Sequence, residues 1–194
     1  MTSPSVRDPP VVTPARVLLL AAVLATAAFV LVPELGDLLP RNPDQQAAAE
    51  IVERTIVANQ SVGIPFERDA DGHVSAETVQ AMRLHVREVA SELLTESYRD
   101  TWIARTDGVI DVETSDELVF EGGAYDFTQW RIAIFGDHAA VAVRCRIFLE
   151  MAQTLEGPRH RAENIVDYAL TLERVGGTWL VAGETNRFAP GGGP

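Results

Sequence analysis

Ala139, Val141, Val143, Cys145, Ile147, Leu149 and Met151 are all apolar, and Ala140, Ala142, Arg144, Arg146, Phe148 and Glu150 stand between them. A period of two sustained this far is a long β-strand with one dry face and one mixed face. Such a strand needs neighbours and a layer that covers its dry side. The flanking residues supply the neighbours. Phe127–Phe135 reads as a strand with Trp130, Ile132 and Ile134 on one face, and Gly136-Asp137 makes a tight turn into the long strand. After a polar loop over 153–161, Val166, Tyr168, Leu170 and Leu172 line a further strand, which Gly176-Gly177 turns into Thr178–Glu184. Residues 109–122, closed by Gly122-Gly123, read as a weak strand or an irregular segment.

The cover comes from upstream, where the apolar period is helical. Asp44 is placed to cap a helix running to about Gln60, with Ala48, Ile51, Val52, Thr55 and Ile56 on one stripe. Ser75 is placed to cap a longer one, in which Val79, Met82, Val86, Val89, Ala90 and Leu93 share a face. Its pattern continues through Tyr98 and Trp102 toward Arg105, with a break near Thr95 and an end at Gly108. Helices first and a meander of strands afterwards define an α+β domain, two or three helices packed on a curved antiparallel sheet.

A different signal stands at the N-terminus. Val17–Val32 contains no charge, amide or proline, and Arg16 precedes it. A spanning helix takes about 17–25 residues at roughly 1.5 Å each, so the run extended by Pro33 and Leu35 is at the short end of that range. Arg7, Arg16 and the α-amino group lie before it and only Arg41 follows closely, which places the N-terminus in the cytoplasm and exports the rest. The expectation is a single-pass anchor over 16–33, a disordered cytoplasmic tail over 1–15, a Pro-bearing linker over 34–43, an exported domain over 44–186 and a disordered tail over 187–194. Ala25-Thr26-Ala27 keeps a cleaved signal peptide as the alternative, although Phe29–Val32 continues the apolar run beyond it.

Charge narrows the partners. The chain carries a net charge of −12, and residues 41–194 hold 14 arginines against 25 carboxylates, with no lysine anywhere. Such a surface repels nucleic acid and anionic head groups, so no nucleic-acid role is expected. One cysteine, Cys145, builds neither an intrachain disulfide nor a cysteine zinc site, and its dry-face register makes it a buried thiol.

Phe135-Gly-Asp-His-Ala-Ala-Val-Ala-Val143, together with Tyr168-Ala-Leu-Thr-Leu-Glu-Arg-Val-Gly-Gly-Thr-Trp-Leu-Val181 behind a helical pair, resembles the nuclear-transport-factor-2-like (cystatin-like cone) superfamily over about residues 44–186. The resemblance implies a cone of helices wrapped by a curved sheet. Its members include isomerases, polyketide cyclases and dehydratases that use the cone cavity. They also include non-catalytic, membrane-anchored assembly subunits of type IV secretion systems and of actinobacterial lipid importers. A short tail, one anchor and an acidic exported domain are most similar to the last group. The resemblance also implies a possible homodimer through the open sheet face.

An enzyme of that superfamily needs a general base in the cone and donors for a developing oxyanion. Candidates are His85, Tyr98 and Asp100, with Tyr125 and Asp126 behind them, and none forms an acid-base motif. Trp102, Trp130, Tyr168 and Trp179 are core aromatics that could line a cone pocket. Arg144, Arg146 and Phe148 share the mixed face of the long strand; Asp167 or Glu173 could pair with the arginines, and the alternative role is a partner-docking face. Glu67, Asp69 and Asp71 before Gly72 partly match a calcium loop, but Thr78 stands where the bidentate Glu should, and an Asp-Gly turn ahead of a capped helix explains the same residues. No cofactor is expected. The first functional reading is a membrane-anchored, non-enzymatic accessory protein that binds a cell-envelope partner. The second is an exported ligand-binding protein or isomerase/cyclase-like enzyme that uses the cone cavity.

Overall fold

Asn42 caps the first described helix. The computed structural model describes residues 40–113 and 118–190, with the side chains of 112 and 113 also left out. The expected tail, the anchor and the linker up to residue 39 lie outside the described residues. Among the described residues no helix is long and apolar enough to cross a membrane. Helix α1, Pro43–Ser61, is capped by Asn42, whose side chain accepts from the N–H of Gln45 while the Gln45 side chain accepts from the N–H of Asn42. The expected cap, Asp44, sits instead in the first turn, where its charge suits the helix dipole.

Helix α2, Ala76–Leu93, begins at the Ser75 cap and buries Met82, Val86, Ala90 and Leu93. Leu94 then adopts an extended conformation, and the Thr95 N–H donates to the Val181 carbonyl 2.9 Å away. That single bridge to the sheet is the break foreseen near Thr95. Helix α3 follows as Glu96–Glu113. Gly108 does not end it, and residues 109–113, read as strand or irregular, are its last turns.

Strands β1 (Leu118–Phe135), β2 (His138–Ala152), β3 (His160–Val175) and β4 (Thr178–Phe188) form one antiparallel sheet in the order β1-β2-β3-β4. β1–β2 and β3–β4 join through the tight turns at Gly136-Asp137 and Gly176-Gly177, and β2–β3 through a loop over 153–159, since β3 starts at His160 inside the loop expected over 153–161. β1 is longer than its sequence suggests, because Gly122 and Gly123 lie inside it. A Cβ on Gly122 would stand 2.1 Å from the Gln60 carbonyl oxygen, so the glycine is where α1 touches the strand. β4 is also longer: Arg187 and Phe188 pair with Asp167 and Val166, and Ala189 is buried with its N–H donating to the Ile165 carbonyl. The tail expected over 187–194 is thereby corrected at 187–189, which backbone pairing with β3 holds, and residues 191–194 lie outside the described residues.

The core is the space between α1, α2, α3 and the dry face of the sheet. Val52, Ile56, Met82, Val86, Trp102, Ile110, Val141, Leu170, Leu172 and Val181 are essentially inaccessible to water there. Cys145 is buried among them, and burial pushes its thiol up to about 12, which leaves it a neutral, unreactive packing group at neutral pH.

Candidate functional site

The two faces of the sheet carry different chemistry. On the inner face a polar cluster is set into the apolar core where α1, α3, β3 and β4 meet. Its centre is Glu184, whose side chain is 1% exposed. Asn59 on α1 donates from Nδ2 to Glu184 Oε2 at 2.6 Å, and Asn186 donates to Oε1 at 3.3 Å. Arg105 on α3 stands 3.7 Å from Oε1. The Asn59 carbonyl accepts from Trp102 Nε1 at 2.6 Å and from Arg105 at 3.4 Å. Beside them Gln60 donates to the Tyr168 hydroxyl at 3.3 Å. Burial raises the Tyr98 and Tyr168 hydroxyls above their ordinary values, and the Glu184 charge adds to both shifts. Both phenols therefore stay protonated at any physiological pH.

Glu184 and Asn59 escape the sequence reading for a definite reason. Trp179 and Val181 face inward, so simple alternation puts Gly183 and Thr185 inward and Glu184 out. Thr171 pairs with Gly183 but Leu172 pairs with Val181, which leaves Ala182 as an extra residue. This bulge reverses the facing and turns Glu184 into the core, with the exposed Asn186 at its edge.

The outer face is where the mixed side of β2 points. Arg144 donates twice to Asp167, at 2.7 and 3.1 Å, and Arg187 reaches the same carboxylate at 3.7 Å. Arg146 pairs with Asp126 at 3.3 Å. Farther along, the Arg161 guanidinium lies 3.7 Å from the Phe148 ring centre and 5.4 Å from that of Tyr125, and the two rings meet edge to face. A hydrogen bond from Tyr125 holds the Glu163 carboxyl below its ordinary value, and Arg161 reinforces it. Arg144, Arg146 and Phe148 are thus on one continuous surface, as their spacing requires, and the pairing of Arg144 with Asp167 is the one the sequence offered.

The other candidates are scattered. His85 is on α2, half-exposed, edge-on to Phe66 and 3.9 Å from Glu88; it does not reach the inner cluster. Asp100 is exposed on α3, whereas Tyr98 and Trp102 belong to the inner cluster. Trp130 is buried under Arg41 with its Nε1 donating to the Phe127 carbonyl, and Trp179 is buried under Arg174, so the four aromatics do not line one pocket. Asp69, Asp71 and His73 approach one another without Glu67, but the Asp69 carboxylate accepts the N–H groups of Asp71 and His73 at 2.9 and 2.8 Å. The His73 N–H above all holds that carboxyl below its ordinary value. The segment is an Asx turn leading to the Ser75 cap, in an exposed loop.

Three helices pack on a four-stranded antiparallel meander in an α+β fold, and solved NTF2-like proteins of cystatin-like fold are similar to it. The chain is 12% identical to an NTF2-like protein with a cystatin-like fold from Novosphingobium aromaticivorans, with 94% of each chain covered and a TM-score of 0.44. It is also 12% identical to the intermembrane-space region of the chloroplast protein ARC6, covering 77% of this chain and all of that one at a TM-score of 0.46. The Kfla4162 protein of Kribbella flavida is 14% identical, with 60% and 94% covered and a TM-score of 0.40. No family model and no curated protein matches the chain.

Proposed function

We propose that the chain is a membrane-anchored, non-enzymatic accessory protein whose exported domain docks a protein partner of the cell envelope through the outer face of its sheet. The observation that carries this reading is the state of Glu184. A catalytic base in a cone needs lone pairs directed at a substrate. Both Glu184 oxygens already accept hydrogen bonds from Asn59 and Asn186, and Arg105 adds its charge. The groups of this cluster are occupied with one another, whereas the Trp179 Nε1, buried on the same face, has no hydrogen-bond partner among the described residues. The outer face, by contrast, presents Arg144, Arg146, Arg161, Tyr125 and Phe148, the residue types in which docking surfaces are enriched. The apolar run 17–32 supports the anchor, and its flanking charges support the exported orientation.

A small-ligand site inside the cone is the second reading. It is favoured by the placing of Tyr98, a protonated phenol at the rim of the cluster beside Arg105 and Glu184. Site-specific photo-crosslinking in cells separates the two. A benzophenone side chain at position 148 should give a heterologous adduct in the membrane fraction, and one at the exposed Leu84 on α2 should give none. Only self-adducts from position 148 would make the outer face a homodimer seam. No adduct at all from position 148 would remove the docking reading and direct the search to the cone.

A further inference from the structure

Beside the loop over 153–159, the outer face ends in two arginines that each lie on an aromatic ring. The Arg159 guanidinium stands 4.2 Å from the Phe120 ring centre and donates from Nη1 to Glu150 Oε1 at 2.9 Å. The Arg161 guanidinium stands 3.7 Å from the Phe148 ring centre and donates from Nε to Glu163 Oε1 at 2.6 Å. Ring, guanidinium and glutamate thus recur as one unit on two arginines spaced i, i+2. Phe120 is the extra residue of a bulge, since Val119 pairs with Met151 and Glu121 with Glu150. Phe148 lies on Gly123, where a Cβ would come within 2.9 Å of the ring, so the glycine lets the ring rest on the β1 backbone. Tyr125 closes the second unit from the side, edge to face with Phe148 and hydrogen-bonded to Glu163.

In each unit the ring backs one side of the guanidinium and the glutamate takes its edge. The Arg159 and Arg161 side chains nevertheless remain 53% and 42% exposed. β4 ends at Phe188, opposite Val166, so among the described residues no strand flanks β3 on that side over 160–164. A guanidinium face is weakly hydrated and stacks on aromatic rings. A carboxylate is the poorer occupant, because each arginine already has its counter-charge and a chain of net charge −12 repels anions. An aromatic ring instead adds a second π-face to a cation that is already held, with little side-chain entropy left to lose. Residues two apart on an extended chain share a side and lie about 7 Å apart, so rings at that spacing match the two arginines. We propose that Arg159 and Arg161 form a stacking platform for two aromatic side chains, at i and i+2 in an extended segment of the docked partner. The inference deepens the outer-face docking reading and rests on it.

Fluorescence anisotropy of the full-length protein in neutral detergent micelles tests it, against a blank of protein-free micelles. The labelled probe is Gly-Ser-Gly-Tyr-Thr-Tyr-Gly-Ser-Gly, with Leu-Thr-Leu and Glu-Thr-Glu counterparts. The Tyr peptide should bind at least fivefold more tightly than either counterpart. Raising NaCl from about 50 to 300 mM should change its affinity less than twofold, because the charges involved are already paired. R159Q/R161Q, at two exposed positions, should weaken the Tyr complex at least fivefold. R161K, which keeps the charge and loses the planar face, should weaken it at least threefold. Equal binding of the Tyr and Leu peptides, tighter binding of the Glu peptide, or unchanged affinity in R161K would overturn the proposal. A heterologous adduct at position 148 with no preference for the Tyr peptide would sink the platform and leave docking intact. A Tyr preference lost in R159Q/R161Q, with no adduct at position 148, would keep the platform and remove the docking reading.

Discussion

Asn59 is the residue on which the inner cluster turns. It donates to one buried carboxylate and accepts from the buried Trp102 indole and the half-exposed Arg105 guanidinium, so removing it strands two buried groups. Buried polar groups left without partners lose about 1–3 kcal/mol each, and a network loses more than one bond's worth. Asn59→Ala should therefore lower unfolding stability by about 2–4 kcal/mol in urea titrations. Asn59→Asp should also destabilise, with a pH signature. Two facing carboxylates repel, and protonating one relieves the repulsion, so the deficit of the variant should shrink as pH falls from 8 toward 5. A deficit independent of pH would mean that Asn59 and Glu184 do not share a site. Of this cluster the sequence singles out Tyr98 as a general-base candidate and Trp102 and Tyr168 as core aromatics, without grouping them. It hid Glu184 and Asn186, because one inserted residue, Ala182, reverses the alternation on which facing is judged.

At the scale of elements, local patterns were legible wherever one periodicity ran unbroken. β2 and β3, the Ser75 cap and the turns at Gly136 and Gly176 all follow from their residues. Boundaries set by tertiary contact were not. Gly108 looks like a helix stop, yet α3 runs through it; Gly122 looks like a strand end, yet it is where α1 rests on β1. The two glycines should consequently respond in opposite directions to the same change. At Gly108 an added methyl meets nothing within 4 Å, and alanine in place of glycine inside a helix stabilises by about 0.5–1 kcal/mol. At Gly122 the methyl would lie 2.1 Å from a backbone oxygen and 2.9 Å from Ile64 and Leu149, so α1 must shift from the strand. Gly122→Ala should cost about 1–3 kcal/mol or more, the range for overpacking, while Gly108→Ala raises the melting temperature. Thermal denaturation of both variants decides it; two changes of the same sign would refute the placement of α1 on β1.

For the whole molecule, the question is how the acidic domain relates to the apolar run ahead of it. Everything the described fold uses begins at Arg41, which lies 4.3 Å over the Trp130 ring, and at Asn42, which caps α1. Among the described residues the buried positions fall between Ala48 and Ala189. In the reading proposed above, residues 1–39 act on location alone. Removing residues 1–39 should leave the far-ultraviolet circular dichroism and the urea midpoint of the domain unchanged and release it from membranes into the aqueous fraction. The full chain should resist carbonate extraction and yield to detergent, because a run of this length and apolarity is favoured in hydrocarbon. Release of the full chain by carbonate alone would remove the anchor from the proposed function. A truncated chain that fails to fold would show instead that the N-terminal segment packs against the domain, and the exposed side chains Leu84 on α2 and Phe66 before it would be the first places to seek that contact.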